Sequence, residues 1–420
     1  MKTTAPTDPP LIAIACGGTG GHLFPGIAIG DELVGRGCDV LLIISEKEID
    51  QRAVQSVDTM EVVSLPAVGL GGGNYFRFLG GLYKSHRAIR KRFRARPPAA
   101  VLTMGGFTGA APILAGRSVG ANTFLHESNT IPGRANRWLA RLIDQAFVWF
   151  PETARRLNHP RVSAVGMPVR SQFDIRKHEA ARTALGLDPQ KPTLLIMGGS
   201  QGARGLNRAI VEAAPRIAQR IKNAQFLHLT GQADLEATRA AYATSGIEAV
   251  TLAFLDEIET ALNAATLTVS RAGASSLAEV AAVGAPSILI PYPYAADNHQ
   301  FYNAGAFVAA NAARMIEQSE ASAERLGELI VDLLEDPQEL DAMRDKLDAW
   351  HHPKAAERIA DCILAATLPV SMDSDASDPG EEDLQMSRSR SRAPEPAQLT
   401  FRLPPGTLGG SRDLGPRWHR

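Results

Sequence analysis

The chain has 420 residues, 45% hydrophobic and 21% charged, enough for two or three domains with full-sized cores and no need of a disulfide scaffold. Lys and Arg (44) balance Asp and Glu (45), which excludes a global attraction to nucleic acid. Cys16, Cys38 and Cys362 cannot all pair and show no metal-ligand spacing, which fits a reducing compartment; no signal-peptide pattern and no apolar run of about 18 residues occurs, so neither export nor a membrane span is expected.

Short aliphatic runs alternate with Ala-, Arg- and Glu-rich helical patterns up to residue 369, which predicts an α/β fold of doubly wound parallel sheets. Strands are expected at 11–16, 40–45, 99–104, 123–126, 145–150 and 162–165, a first sheet of about six or seven strands. The pattern restarts with strands at 193–197, 225–229, 249–252, 267–270 and 287–291. Two Rossmann-like halves, 1–168 and 169–345, are the simplest partition. Residues 370–420 differ: an acidic polar stretch, the Ser-Arg repeat of 387–392 and dense Pro and Gly predict a disordered tail. Between Glu61 and Glu127 the chain carries no acidic residue but has Arg77, Lys84, Arg87, Arg90, Lys91, Arg92, Arg94, Arg96 and Arg117, so the first half must present a basic face.

The first strand runs into Gly17-Gly18-Thr19-Gly20-Gly21-His22, and a helical pattern begins after Pro25. Glycines let the backbone approach a ligand and a helix N-terminus offers free N–H groups, so this turn can hold a diphosphate, although its spacing is not the dinucleotide fingerprint. Met104-Gly105-Gly106-Phe107-Thr108-Gly109 and Met197-Gly198-Gly199-Ser200-Gln201-Gly202 follow strands in the same way, and three such loops across two halves predict a ligand cleft. In Arg271-Ala272-Gly273-Ala274-Ser275-Ser276-Leu277-Ala278-Glu279, Ser275 lies in a first helical turn and Glu279 one turn below it, placed to accept from ribose hydroxyls. Asp297-Asn298-His299-Gln300 and Asn303 form a polar cluster able to bind a sugar.

Together with His126-Glu127-Ser128-Asn129 and Pro168-Val169-Arg170, these motifs resemble the MurG family of UDP-N-acetylglucosamine transferases over residues 11 to about 366. The resemblance implies a GT-B architecture, two Rossmann-like domains facing a cleft, the first completed by a C-terminal helix at about 346–368. It implies transfer of GlcNAc from UDP-GlcNAc to the muramyl 4-hydroxyl of lipid I, giving lipid II and UDP with inversion at the cytoplasmic face of the cell membrane.

On that resemblance the second domain carries most of the donor site. Ser200 contacts the diphosphate, helped by the helix start at Gly202 and with Arg170 beside it, Leu255 offers backbone groups to uracil and Glu279 takes the ribose. Ala274, Gln300 and Asn129 fix the GlcNAc, while Thr19, Gly20 and Gly21 border the donor from the first domain. Ser128 and Ser275-Ser276-Leu277 depart mildly from the family pattern. His22 is the expected general base, an imidazole being suited to that task near neutral pH. No Asp-x-Asp metal motif appears, so no cofactor is expected, with room for a free divalent ion to assist.

A lipid-linked acceptor requires approach to a membrane. Phe76, Phe78, Leu79 and Leu82, followed directly by Lys84, Arg87, Arg90 and Lys91, combine apolar insertion with cations suited to an anionic surface. Other cell-wall synthesis proteins are candidate partners. Two alternatives stay open at this stage: a UDP-GlcNAc 2-epimerase on a similar frame, and a non-catalytic nucleotide-sugar-binding subunit.

Overall fold

The computed structural model describes residues 8–18, 20–55, 57–66, 75–174, 178–199 and 202–367. The tail lies outside them. The first aliphatic runs become β1 (Leu11–Ala15), β2 (Asp39–Ser45), β4 (Ala100–Thr103), β5 (Asn122–Glu127), β6 (Gln145–Val148) and β7 (Val162–Ala164), joined by β3 (Glu61–Leu65). They form a parallel sheet in the order β3-β2-β1-β4-β5-β6-β7. A second parallel sheet is ordered β10-β9-β8-β11-β12-β13, from β8 (Thr193–Met197), β9 (Gln225–Leu229), β10 (Ala249–Leu252), β11 (Leu267–Ser270), β12 (Ser287–Leu289) and β13 (Arg314–Met315).

Each sheet is buried on both faces, which is why its inner strands read as unbroken apolar runs. In β1, Ile12 and Ile14 point to one core and Leu11, Ala13 and Ala15 to another. The first core is closed by the helix Gly20–Gly35, through Leu23 and Ile29, and by the last helix, Ala355–Thr367, through Ile359, Ala360 and Ile363. That last helix is tied down further by Asn122 Nδ2, which donates to Ala366 O at 3.0 Å, and by an Arg36–Asp361 ion pair. In β8, Leu194 and Ile196 pack under the helix Arg204–Arg220, and Leu195 and Met197 face the core that holds Leu277 and Val280 of the helix Ala274–Val283.

Three sequence expectations are corrected here. β3 was not expected: it is an edge strand whose Glu61 and Ser64 are exposed, so it lacks a continuous apolar signal. β13 was also missed, being only two half-buried residues. The first helix starts at Gly20, not after Pro25, which sits in its second turn at the cost of the hydrogen bond that a backbone N–H there would have made to Gly21 O.

The chain passes between the halves twice, at 165–170 and again near 350. Both passages share an aromatic cluster in which Trp350 stacks on Phe307 at 4.4 Å between centroids and meets Trp149 edge-on at 6.2 Å. Beside it Gly166, at φ +94°, lies so close under His352 that any side chain there would collide with the ring.

Candidate functional site

In both sheets the strand order reverses beside the central strand, between β1 and β4 and between β8 and β11. Ligands of open α/β sheets bind at such switch points, outside the strand C-termini. All four loops singled out in the sequence have described residues there: Gly17 and Gly18 after β1, Gly105 and Gly106 after β4, Gly198 and Gly199 after β8 and Arg271–Gly273 after β11. Three of them lead into the helices Gly20–Gly35, Arg204–Arg220 and Ala274–Val283, whose first N–H groups are free to bind anionic oxygens.

His22 stands in the first turn of the helix Gly20–Gly35, half-buried, with its ring against Gly106: a Cβ placed on that glycine would lie 3.4 Å from His22 Cε1. Burial lowers its pKa to about 4, opposed by Asp50 and reinforced by His299 and Lys47. The imidazole is therefore neutral throughout the physiological range and presents a lone pair. His126 of β5 lies nearby, fully buried, with Nε2 2.9 Å from Gly166 O and its pKa also near 4 through burial.

On the opposite wall, Glu279 sits one turn into the helix Ala274–Val283, and burial raises its pKa to about 7 against the pull of Arg170. The Arg170 guanidinium stacks over Phe24 at 4.4 Å and Phe173 at 5.4 Å, so aromatic faces rather than a carboxylate fix it at the rim of the cleft. Phe24, Pro25, Arg170, Ser275 and Glu279 line one narrow cavity between the halves. Ser275 Oγ donates to Gly21 O across it at 3.1 Å.

Gln300 is oriented by its carbonyl, which accepts from Ala272 N at 3.3 Å and Tyr292 N at 2.9 Å and leaves its amide nitrogen beside Gly273. Ala274 is buried at the helix start, and Leu255, half-buried, packs on the core from the loop after β10. Asn129 is engaged on both sides: Nδ2 donates to Glu127 Oε1 at 3.1 Å and Oδ1 accepts from Asn303 Nδ2 at 3.0 Å. Asn303 also accepts from Thr130 N and Oγ1, and Asp297 pairs with Arg134 and Arg137. Much of the expected sugar cluster thus bridges the halves. Gly20 and Gly21 open their helix, whereas Thr19 and Ser200 lie outside the described residues. Among the described residues no group of three or more His, Cys, Asp or Glu side chains is arranged to hold a metal ion.

The expected membrane segment forms the helix Tyr75–Ala95. Leu79 and Tyr83 are 56% and 64% exposed, and Lys84, Arg87 and Lys91 are exposed on the same helix. Leu82 instead packs on the core, and Arg90 is half-buried with Nε donating to Ser118 Oγ. The side chains of Phe76 and Phe78 lie outside the described residues. Sequence reasoning missed Trp138, 47% exposed on the helix Arg134–Leu139, Phe24 under Arg170, and Asp50, which accepts from Gly18 N at 2.7 Å. Only a nearby cluster of arginines could have flagged the first.

The models described as "Glycosyltransferase family 28 N-terminal domain" and "Glycosyltransferase family 28 C-terminal domain" match residues 12–148 and 193–359. The chain is 37% identical over 362 residues to the UDP-N-acetylglucosamine–N-acetylmuramyl-(pentapeptide) pyrophosphoryl-undecaprenol N-acetylglucosamine transferase of Geobacter sp. (strain M21), covering 84% of this chain and 95% of the relative. It is 38% identical to the transferase of the same name from Sorangium cellulosum, over 84% of this chain and 87% of that protein. The crystal structure of Acinetobacter baumannii MurG superposes with a TM-score of 0.67 at 26% identity, covering 85% of this chain and 99% of the other.

The chain belongs to the MurG family. A putative UDP-N-acetylglucosamine 2-epimerase from Listeria monocytogenes shares the fold at 16% identity and a TM-score of 0.64 over 86% of this chain, a likeness of architecture alone. The two MurG halves are the two sheets described above, and the GT-B frame expected from sequence is present.

Proposed function

We propose that the chain transfers GlcNAc from UDP-GlcNAc to the muramyl 4-hydroxyl of undecaprenyl-diphosphate-MurNAc-pentapeptide, lipid I, giving lipid II and UDP. The observation that carries this reading is membership of the MurG family over 84% of the chain, with four loops converging on two switch points. The acceptor O4 attacks the anomeric carbon from the face opposite UDP, the bond from that carbon to the phosphate oxygen breaks, and configuration inverts. His22 takes the hydroxyl proton on its free imidazole nitrogen.

Donor binding falls mainly to the half spanning 169–345. Ser200, with Arg170 beside it and Ser275 in a first helical turn, receives the diphosphate; Glu279 accepts from the ribose; Leu255 faces uracil by its backbone; Ala274 by its backbone, Gln300 and Asn129 hold the GlcNAc. Thr19, Gly20 and Gly21 close the site from the half spanning 1–168. No bound cofactor is required, since helix N-termini and side-chain donors stabilise the leaving UDP, and a free divalent ion is able to assist.

No described helix is long and apolar enough to cross a membrane. Leu79, Tyr83 and the exposed cations beside them support peripheral docking on an anionic bilayer at the cytoplasmic face, where other cell-wall synthesis proteins are candidate partners. The deciding assay incubates the chain with radiolabelled UDP-GlcNAc and a lipid I analogue and scores labelled lipid and released UDP. Released UDP without labelled lipid, or epimerised donor, overturns the reading.

A further inference from the structure

Asp50 belongs to none of the glycine-rich loops. It lies on the short helix Glu48–Ala53 after β2 and is fully buried. Its Oδ2 accepts from Gly18 N at 2.7 Å, from Ser45 N at 3.2 Å and from Ser45 Oγ. Lys47 Nζ, from the same turn, donates to Gly18 O at 2.7 Å, and Thr108 Oγ1 donates to Gly17 O at 2.6 Å. The peptide at Gly18, held at φ +117°, is therefore clamped from both its N–H and its C=O side.

The other carboxylate oxygen, Oδ1, is buried without a hydrogen-bond partner among the described residues. An unpaired buried carboxylate oxygen is costly and calls for a purpose. The groups that act on His22 supply one. Lys47 and His299, at the start of the helix His299–Ala309, oppose a positive charge on the ring; Asp50 alone among the named groups favours it. Among the described residues no hydrogen bond joins Asp50 to His22, so the influence acts through space.

We propose that Asp50 is a positioning residue that holds the first glycine turn in its ligand-binding shape and supplies the fixed negative charge that stabilises the imidazolium formed when His22 accepts the proton. The inference rests on the reading of His22 as the base. Without Asp50, the transferred proton would arrive on a ring surrounded by cationic or protonatable groups in a desolvated site, and the barrier to the proton-transfer step would rise.

The test uses the full chain with Asp50→Asn, Asp50→Glu, His22→Ala and the Asp50→Asn/His22→Ala double variant, each checked by thermal melting. Turnover is read at saturating UDP-GlcNAc and a soluble lipid I analogue, and donor affinity by calorimetry. Because its amide oxygen can still accept from Gly18 N and Ser45, Asp50→Asn keeps the turn and removes only the charge; it should lower kcat about tenfold or more, less than the roughly hundredfold expected for His22→Ala, with the donor Kd within about twofold of wild type. Asp50→Glu, which keeps the charge but displaces it, should fall between wild type and Asp50→Asn. In the double variant the two losses should not multiply, because both act on one step.

A kcat for Asp50→Asn within about twofold of wild type while His22→Ala is inactive overturns the role of Asp50 and leaves the base reading standing. Losses that multiply in the double variant overturn it equally. Full turnover in His22→Ala removes the base reading and this inference with it. Should Asp50→Asn fail to fold, Asp50→Glu with wild-type kcat would assign Asp50 to folding alone.

Discussion

Ser275 donates from its hydroxyl to the carbonyl of Gly21, joining helices of opposite halves at 3.1 Å. The carbonyl is available because the residue four positions on is Pro25, which has no N–H to close the helical bond. A proline that would count as a flaw in an isolated helix thus exposes an acceptor at the mouth of the cleft.

Ser275→Ala should weaken closure by about 1 kcal/mol, the net worth of one hydrogen bond, and raise the donor KM about fivefold. Pro25→Ala lets its new N–H compete for Gly21 O and should act in the same direction. The pair should be non-additive in steady-state kinetics. Independent, multiplying effects would mean that the two residues do not share this contact.

Glu279 gives a pH signature. Its folded pKa, near 7, exceeds the ordinary carboxyl value, so folding favours the protonated form. The stability it contributes is complete below the ordinary carboxyl range and is lost as pH rises through about 7. Ribose hydroxyls bind the ionised form, so donor affinity should improve over the same rise. Calorimetry between pH 6 and 8 should show this in wild type, whereas Glu279→Gln should be flat and about ten- to a hundredfold weaker. A pH-independent wild-type Kd would take Glu279 out of the donor site.

His22 titrates in the other direction. With a folded pKa near 4, its contribution to stability is present above the free imidazole value and is lost as pH falls toward 4, as is that of His126. The acid limb of kcat/KM should therefore lie well below 6.5, the free imidazole value. His22→Ala should lower kcat about a hundredfold with donor affinity kept. Turnover within threefold of wild type would end its assignment as base.

Lys84, Arg87 and Lys91 are exposed beside Leu79 and Tyr83, so binding to anionic vesicles should fall steeply as salt rises. Replacing the three cations by Gln should remove that dependence and reduce turnover on vesicle-embedded acceptor alone. Leu79→Ser with Tyr83→Ser should weaken binding at every salt concentration. Vesicle binding that is unaffected by either set would move the contact to another surface, with exposed Trp138 the next to test.

The inner strands were legible because burial on both faces writes an uninterrupted apolar run; β3 and β13 were not, since an edge strand needs no such run. Gly-rich loops announced the switch points because only close backbone approach explains so many glycines in one turn. Asp297 and Asn303 read as ligand-facing polar residues, yet each is spent on the opposite half, a pairing that no local spacing encodes. Asp50 was silent for the same reason: its partners Gly18 and His22 lie about thirty residues upstream.

The chain crosses between the halves at a single place, where His352 rests on Gly166 and Trp350 on Phe307. Two connections at one point make a fulcrum: the halves can tilt about it but cannot slide apart. The Ser275–Gly21 contact lies close to that fulcrum, since Ser275 shares its cavity with Pro168, Val169 and Arg170, so it rides on a short arm and a small tilt strains it little while displacing groups farther out along the cleft much more. Trp149 and Trp350 sit at that fulcrum, in surroundings that any tilt must disturb.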